Sequence, residues 1–204
     1  MSESLRLKAI RSDYSLRPIL RSTIRDIITC YDDFTALIHA QLEIIFKDMT
    51  RNANFFQKQN EDQITYHIIS QFRPYGISAK HDTQIGGHVD ISIEYDDYMW
   101  LAEAKKHSSY DKLYKGWNQL TTRYSTGISG EDNGAFLIYN FNKDALSVTN
   151  EWKSFLSSKD STIQFSEHNI DLNFVSNHVH VRSGRSYKVI HYNIPLHFEP
   201  QDVD

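Results

Sequence analysis

The chain has a single cysteine, Cys30, among 204 residues. No disulfide can form within it, and too few thiolates are present for a structural zinc site. Long apolar runs are missing as well: none approaches the roughly 20 residues that a membrane-spanning helix needs. The opening MSESLRLKAIRSD lacks the apolar stretch of a secretory leader. A cytoplasmic location, with no membrane partner, is the expectation. Neither a Gly-rich phosphate loop nor a Gly-x-Ser-x-Gly element occurs, which leaves nucleotide-driven and acyl-transfer chemistry without support. No helix-turn-helix or zinc module is visible to read a base sequence. Overall positive charge is lacking too, since the formal net charge is −4. That argues against the uniform positive coat of a tight, non-specific nucleic-acid binder.

What is present is an apolar share of 40%, enriched by 12 Tyr and 11 Phe, enough to bury one substantial core. With no repeat, low-complexity tract or Pro/Gly linker to divide the chain, one domain with elaborations is expected. Charge is distributed unevenly. Arg6, Lys8, Arg11, Arg17, Arg21 and Arg25 face only Glu3 and Asp13 in the first 25 residues. A second basic run comprises Lys105, Lys106, Lys112, Lys115 and Arg123. Such runs are commonly solvated faces, yet a local basic surface on an acidic protein can still engage a polyanion.

Apolar residues from Leu20 through Ile28, Phe34, Ile38 and Leu42 to Phe46 recur at helical spacing, predicting helix over about 16–50, with a possible break near Asp32–Asp33. Residues 1–56 are therefore expected to form a helical N-terminal extension suited to a homodimer contact or a partner protein, and 57–204 the core. Within that pattern Cys30 reads as a small buried hydrophobe. Asn60 followed by Gln63 reads as a capping box opening a helix to about Phe72, stopped by Pro74 and Gly76. Strand signals follow from Ile77, then a break at Gly86–Gly87 and two runs of period-two alternation. A helix from Ser109 or Asp111 to about Ser125, a buried strand over Ala135–Tyr139, a helix over Asp144–Leu156 and two or three strands between Asp171 and Phe198 complete the reading. The order helix, three strands, helix, strand predicts an α/β fold on a mixed central sheet with extra C-terminal strands.

The informative stretch runs from Gly87 to Lys105. Read as a hairpin turning on Asp96–Asp97, it pairs Tyr95 with Tyr98, Ile93 with Trp100, Ile91 with Ala102 and Val89 with Ala104, an apolar or aromatic face throughout. The same register sets Asp90 directly opposite Glu103, with Cβ atoms roughly 4.5–5.5 Å apart, and Lys105 on the face of Glu103. Two carboxylates across a ladder repel one another, a poor choice unless a divalent cation lies between them. The plain alternative is a half-exposed hairpin carrying ordinary charges.

Asp90, a hairpin, then Glu103-Ala104-Lys105 resembles the PD-(D/E)xK nuclease superfamily, whose restriction-endonuclease-like core has the order α-β-β-β-α-β. Here Gly87-His88-Val89 precedes the Asp where the family often has a proline. The resemblance covers roughly Asn60 to Asn140 and extends to two further elements. Glu61, at the start of the Asn60-capped helix, matches the family's additional acid, its face continuing through Ile64, Thr65 and Ile68. Gln119 with Tyr124 is similar to the family's Gln and aromatic on the following helix. The resemblance implies a magnesium-dependent nuclease, with Mn2+ able to substitute. Asp90, Glu103, the Ala104 carbonyl and Glu61 are the implied ligands, Lys105 orients or polarises water, and Gln119 steadies Lys105 or the phosphate. DNA is the favoured substrate, and a role as effector subunit of a bacterial anti-phage or restriction system is implied by family habit alone.

Around that centre, Leu113, Trp117, Leu120 and Tyr124 form a stripe expected to lie on the sheet. Lys115, Gln119 and Arg123 form a neighbouring row suited to phosphates, Arg123 more readily read as a solvated flank. Lys115, Tyr124, His88 and Lys106 are the candidate substrate contacts. His178 and His180 read better as alternating histidines on an exposed strand face than as metal ligands. A catalytically silent module that binds nucleic acid or assembles a complex, and an RNA-directed nuclease, remain as alternatives.

Overall fold

The computed structural model describes residues 28–73 and 77–202. The basic N-terminal run and the Pro74–Gly76 stop signal lie outside the described residues. Helix α1 (Tyr31–Arg51) starts where a break had been expected. Cys30 is its N-cap, in extended backbone at φ −152°, so this cysteine is a half-buried boundary residue and not part of a helical stripe. Asp32 and Asp33 occupy the first turn, where acids favour the helix dipole, and Asp33 reaches back to the Thr29 N–H at 2.9 Å. Two adjacent acids therefore sit at a helix start, and the part of the expected 16–50 helix before residue 28 lies outside the described residues.

Helix α2 (Glu61–Ser70) opens with the expected reciprocal cap, Asn60 accepting the Gln63 N–H and Gln63 accepting the Asn60 N–H, both at 2.9 Å. Strands β1 (Ser78–Gln84), β2 (His88–Tyr95) and β3 (Tyr98–Lys106) follow. Helix α3 (Tyr110–Asn118), capped by Ser109, continues as a π-helical segment, Gln119–Tyr124. Then come β4 (Asn133–Asn140), α4 (Ala145–Lys159), β5 (Gln164–Glu167), β6 (Phe174–Val179) and β7 (Ser186–Pro195).

The seven strands make one mixed sheet in the order β1-β2-β3-β4-β7-β6-β5. Its β3-β4-β7 centre is parallel and both flanks are antiparallel. A parallel centre requires cover on both faces. On one side α1 and α2 bury Phe34, Ile38, Leu42, Ile64 and Ile68 against Ile91, Trp100, Leu137 and Tyr192. On the other, Leu113, Trp117, Leu120, Trp152 and Leu156 from α3 and α4 lie on Leu101, Phe136, Ile138 and Val189. The last strand does not stay at the rim: β7 lies beside β4 in the middle of the sheet, with Tyr192 and Ile194 buried. Helix α1 likewise packs its apolar face on the chain's own sheet, so its described part belongs to the core.

Candidate active site

The β2–β3 hairpin turns on Asp96–Asp97, Asp96 adopting φ +49°, the left-handed conformation that aspartate tolerates better than most residues. Pairing then runs as the sequence implies, Tyr95 with Tyr98, Ile93 with Trp100 and Ile91 with Ala102. There the ladder stops. Asp90 does not pair with Glu103; its Oδ2 accepts the Ala104 N–H at 2.8 Å. A carboxylate thus takes the donor that a continued ladder would have offered to the β2 backbone.

The cause lies next door. Asp82 on β1 has φ +55°, and the Asp82–Asp90 pair is missing between the pairs His81–Ile91 and Thr83–Val89. Across this kink the strands exchange faces. Ile91 packs with the α1–α2 core, whereas Val89 packs with Leu101 and Leu113 on the α3 side. The expectation that Val89 shares the face of Ile91 is therefore corrected. With the kink, Asp90 reaches across to the β3 backbone within the sheet, where a regular pleat would point it away from the sheet.

Glu103 and Lys105 project beneath α3. Lys105 Nζ donates to Glu103 Oε1 at 2.7 Å, to Asp90 Oδ2 at 3.2 Å and to the Ala104 carbonyl at 2.9 Å, with Glu61 Oε1 at 3.5 Å. Glu61 comes from the opposite layer, at the first turn of α2. Its Oε2 accepts the Lys106 N–H at 2.6 Å, which ties the helix start to the end of β3. Below it, Thr65 bonds the buried Tyr139 hydroxyl at 2.8 Å. Three elements, β2, β3 and α2, therefore bring three carboxylates around one ammonium. Side-chain exposure falls from 27% for Glu61 through 20% for Asp90 to 2% for Glu103, so the cluster opens towards α2 and closes beneath α3.

This arrangement is electrically tense. Burial, then the charge of Asp90, pushes the Glu103 carboxyl up to about 8, against the pull of Lys105. Burial works against the Lys105 ammonium too, but Asp90, Glu103 and Glu61 outweigh it and hold it above the ordinary lysine value. Glu103 Oε2 is buried with no hydrogen-bond partner. An orphaned carboxylate oxygen beside two more carboxylates and a backbone carbonyl is an all-oxygen donor set of the kind magnesium accepts. Among the described residues no three His, Cys, Asp or Glu side chains stand arranged to hold a metal ion, and the Lys105 ammonium lies between the three carboxylates.

The remaining candidates divide. Gln119 Nε2 donates to the Tyr124 hydroxyl at 3.1 Å, five residues on, a spacing that the π-helical turn makes adjacent. Tyr124 itself is only 2% exposed and lies in the α3-side core, so its ring supports the site from behind and does not present a surface for substrate. Its hydroxyl is raised by burial and then by Glu103, which places it within the field of the cluster. Lys115, Gln119 and Arg123 line one outer groove with Asp111 and Asn118, so the expected row exists despite the π turn. His88 lies at the hairpin end, bonded to Asp82 at 2.7 Å and mostly exposed. Lys106 sends its ammonium away from the cluster, to the Gln59 carbonyl at 3.3 Å and over the Phe141 ring at 4.1 Å; its contribution is the backbone N–H held by Glu61.

Two participants are not among the site residues read from the sequence, Lys112 having appeared only within the second basic run. Lys112, on the first turn of α3, brings Nζ to 3.6 Å from Glu61 Oε2. Gly116 lies directly over Lys105: a Cβ there would meet Lys105 Cγ at 2.9 Å and Cε at 3.1 Å. His178 and His180 are not on an exposed face. His180 is fully buried and bonded to Ser125, and His178 lies against Trp117 with both ring nitrogens unpartnered. Burial lowers the pKa of His178 to about 4.

No family model matches the chain, and neither does any curated protein or solved structure.

Proposed function

We propose that the chain is a metal-dependent nuclease that hydrolyses phosphodiester bonds, DNA being the favoured substrate. One observation carries the reading: Asp90, Glu103 and Glu61, from three separate elements, converge on Lys105 and the Ala104 carbonyl. The element order from α2 to β4, a helix, three antiparallel strands, a helix and a parallel strand, supports a restriction-endonuclease-like core of PD-(D/E)xK type.

Asp90, Glu103, Glu61 and the Ala104 carbonyl would hold Mg2+, with Mn2+ as a substitute, and the bound ion would supply a polarised water and charge neutralisation at the phosphate. Lys105 holds the attacking water or a phosphate oxygen as a compact point charge. Glu61 tethers α2 to β3 and completes the acidic rim. Gln119 braces Tyr124, and with Lys115 and Arg123 offers a track for the backbone of the nucleic acid. Targeting or activation by another subunit, or by a second copy, is compatible with a site so sparsely furnished for reading bases.

A second reading is favoured by the Lys105 contacts themselves. An ammonium already neutralises much of the acidic cluster, so the same residues can serve as a buried ion-pair network in a catalytically silent binding or assembly module. Incubating the purified chain with supercoiled plasmid, single-stranded DNA and RNA, with Mg2+ or with EDTA, separates the readings. Cleavage of any of the three that EDTA abolishes supports the nuclease, and the substrate that is cut names its class. Intact substrates throughout, with binding retained, support the silent module.

A further inference from the structure

We propose that Lys105 is the built-in counter-ion of this site, and that a divalent cation enters only as the Lys105 ammonium withdraws. The inference rests on the metal-site reading above and concerns how that site is regulated.

The ammonium contacts Asp90 Oδ2, Glu103 Oε1 and the Ala104 carbonyl at 3.2, 2.7 and 2.9 Å, the oxygens assigned to the cation. Magnesium needs such oxygens at about 2.0–2.1 Å, so the two cations compete for one position. The lysine is not free to drift. Its side chain is 14% exposed, and Gly116 lies so close over the stem that a Cβ would meet Cγ at 2.9 Å and Cε at 3.1 Å. A glycine at this point of α3 is what allows the extended stem to reach the carboxylates. The open side lies towards Glu61 and the half-exposed Lys112.

An anion arriving on that side attracts the ammonium outwards and leaves the carboxylates short of a counter-ion. Phosphodiester binding and cation binding thereby favour one another, the anion drawing the lysine off the cation's oxygens and the cation freeing the ammonium to meet the anion. The protein without nucleic acid is poorly loaded with metal, which guards against indiscriminate cleavage.

Mn2+ binding to the full-length protein, followed by electron paramagnetic resonance of the free ion without nucleic acid, tests this without reference to activity. Lys105→Met removes the competing charge. Gly116→Ala keeps the charge but pushes the stem off its path, and carries the test if Lys105→Met does not fold. Both variants are expected to bind Mn2+ at least about tenfold more tightly than the parent. Dimethyl phosphate is expected to tighten Mn2+ binding in the parent more than in Lys105→Met. Equal affinity in the parent and both variants overturns the proposal while leaving the metal site standing. Tighter binding in Lys105→Met alone, with Gly116→Ala at the parent's affinity, marks a charge effect only and also overturns displacement. An absence of Mn2+ binding in all three proteins overturns both this inference and the metal-dependent reading.

Discussion

The carboxylate of Asp90 accepts the backbone N–H of Ala104 at 2.8 Å, across a hairpin whose ladder ends one pair earlier. This contact gives Asp90 two duties. It replaces a strand bond that the kink at Asp82 removes, and it holds the acid in the plane of the sheet beside Lys105. The two duties are separable by substitution. Asp90→Asn keeps an acceptor for Ala104 and is expected to fold with stability close to the parent's. Asp90→Ala leaves a buried donor unpaired and is expected to cost about 1–3 kcal/mol in chemical denaturation. Equal losses in the two variants would show that the Ala104 contact contributes nothing.

The Gly86–Gly87 turn lies against the end of the π-helical segment. Gly86 has φ +62°, and a Cβ there would lie 2.7 Å from the Arg123 carbonyl. Left-handed backbone alone costs an ordinary residue about 1–2 kcal/mol. Gly86→Ala is therefore expected to lower stability by about 2 kcal/mol or more and to shift the urea midpoint down. An unchanged midpoint would mean that the hairpin end does not press on α3.

Lys115 and Arg123 flank Gln119 along one groove. If that row tracks phosphates, the double variant Lys115→Ala/Arg123→Ala weakens duplex binding regardless of sequence. It also flattens the plot of log affinity against log salt by about two units, measured in a Glu103→Gln background by fluorescence anisotropy. A slope equal to that of the Glu103→Gln background alone would return both residues to the solvated flank.

Much of this was legible in the chain. The tight turn at Asp96–Asp97 fixes the hairpin's pairing sum, and alternation of Ile91, Ile93, Trp100 and Ala102 identifies the inward face. The Asn60–Gln63 cap placed Glu61 at a helix start. The face exchange was not legible, because both sides of a covered sheet are apolar, and Val89 reads the same whether it packs under α1 or α3. The left-handed Asp82 that causes it carries no local signature. His178 and His180 misled for a related reason: alternating histidines look like a wet strand until α3 lays Trp117 over one and Ser125, just past the π-helical segment, bonds the other. Gly116 could not be recognised as a close approach before α3 was placed over Lys105.

Buried histidines also set the response to acid. His39, bonded to the Tyr192 hydroxyl at 2.9 Å, is lowered from 6.5 to about 3, mainly by burial, with Lys188 and His168 adding to it against the Asn133 hydrogen bond. Folded protein keeps it neutral while the unfolded chain takes up a proton below about 6.5, so stability is lost as pH falls from there towards 3. Thermal midpoints are expected to drop between about pH 7 and pH 4.5, and less steeply in His39→Gln. Parallel curves for the two proteins would remove His39 from the explanation.

The most direct test of the account is the rate of Mg2+-dependent cleavage by Glu103→Gln compared with the parent, on whichever nucleic acid the parent cuts. This near-isosteric change keeps the buried side chain and removes a carboxyl that can ionise to hold a cation. A fall of about a hundredfold or more, with an unchanged circular dichroism spectrum, is the predicted result. Cleavage by Glu103→Gln at the parent's rate would contradict the assignment of this cluster as the active site.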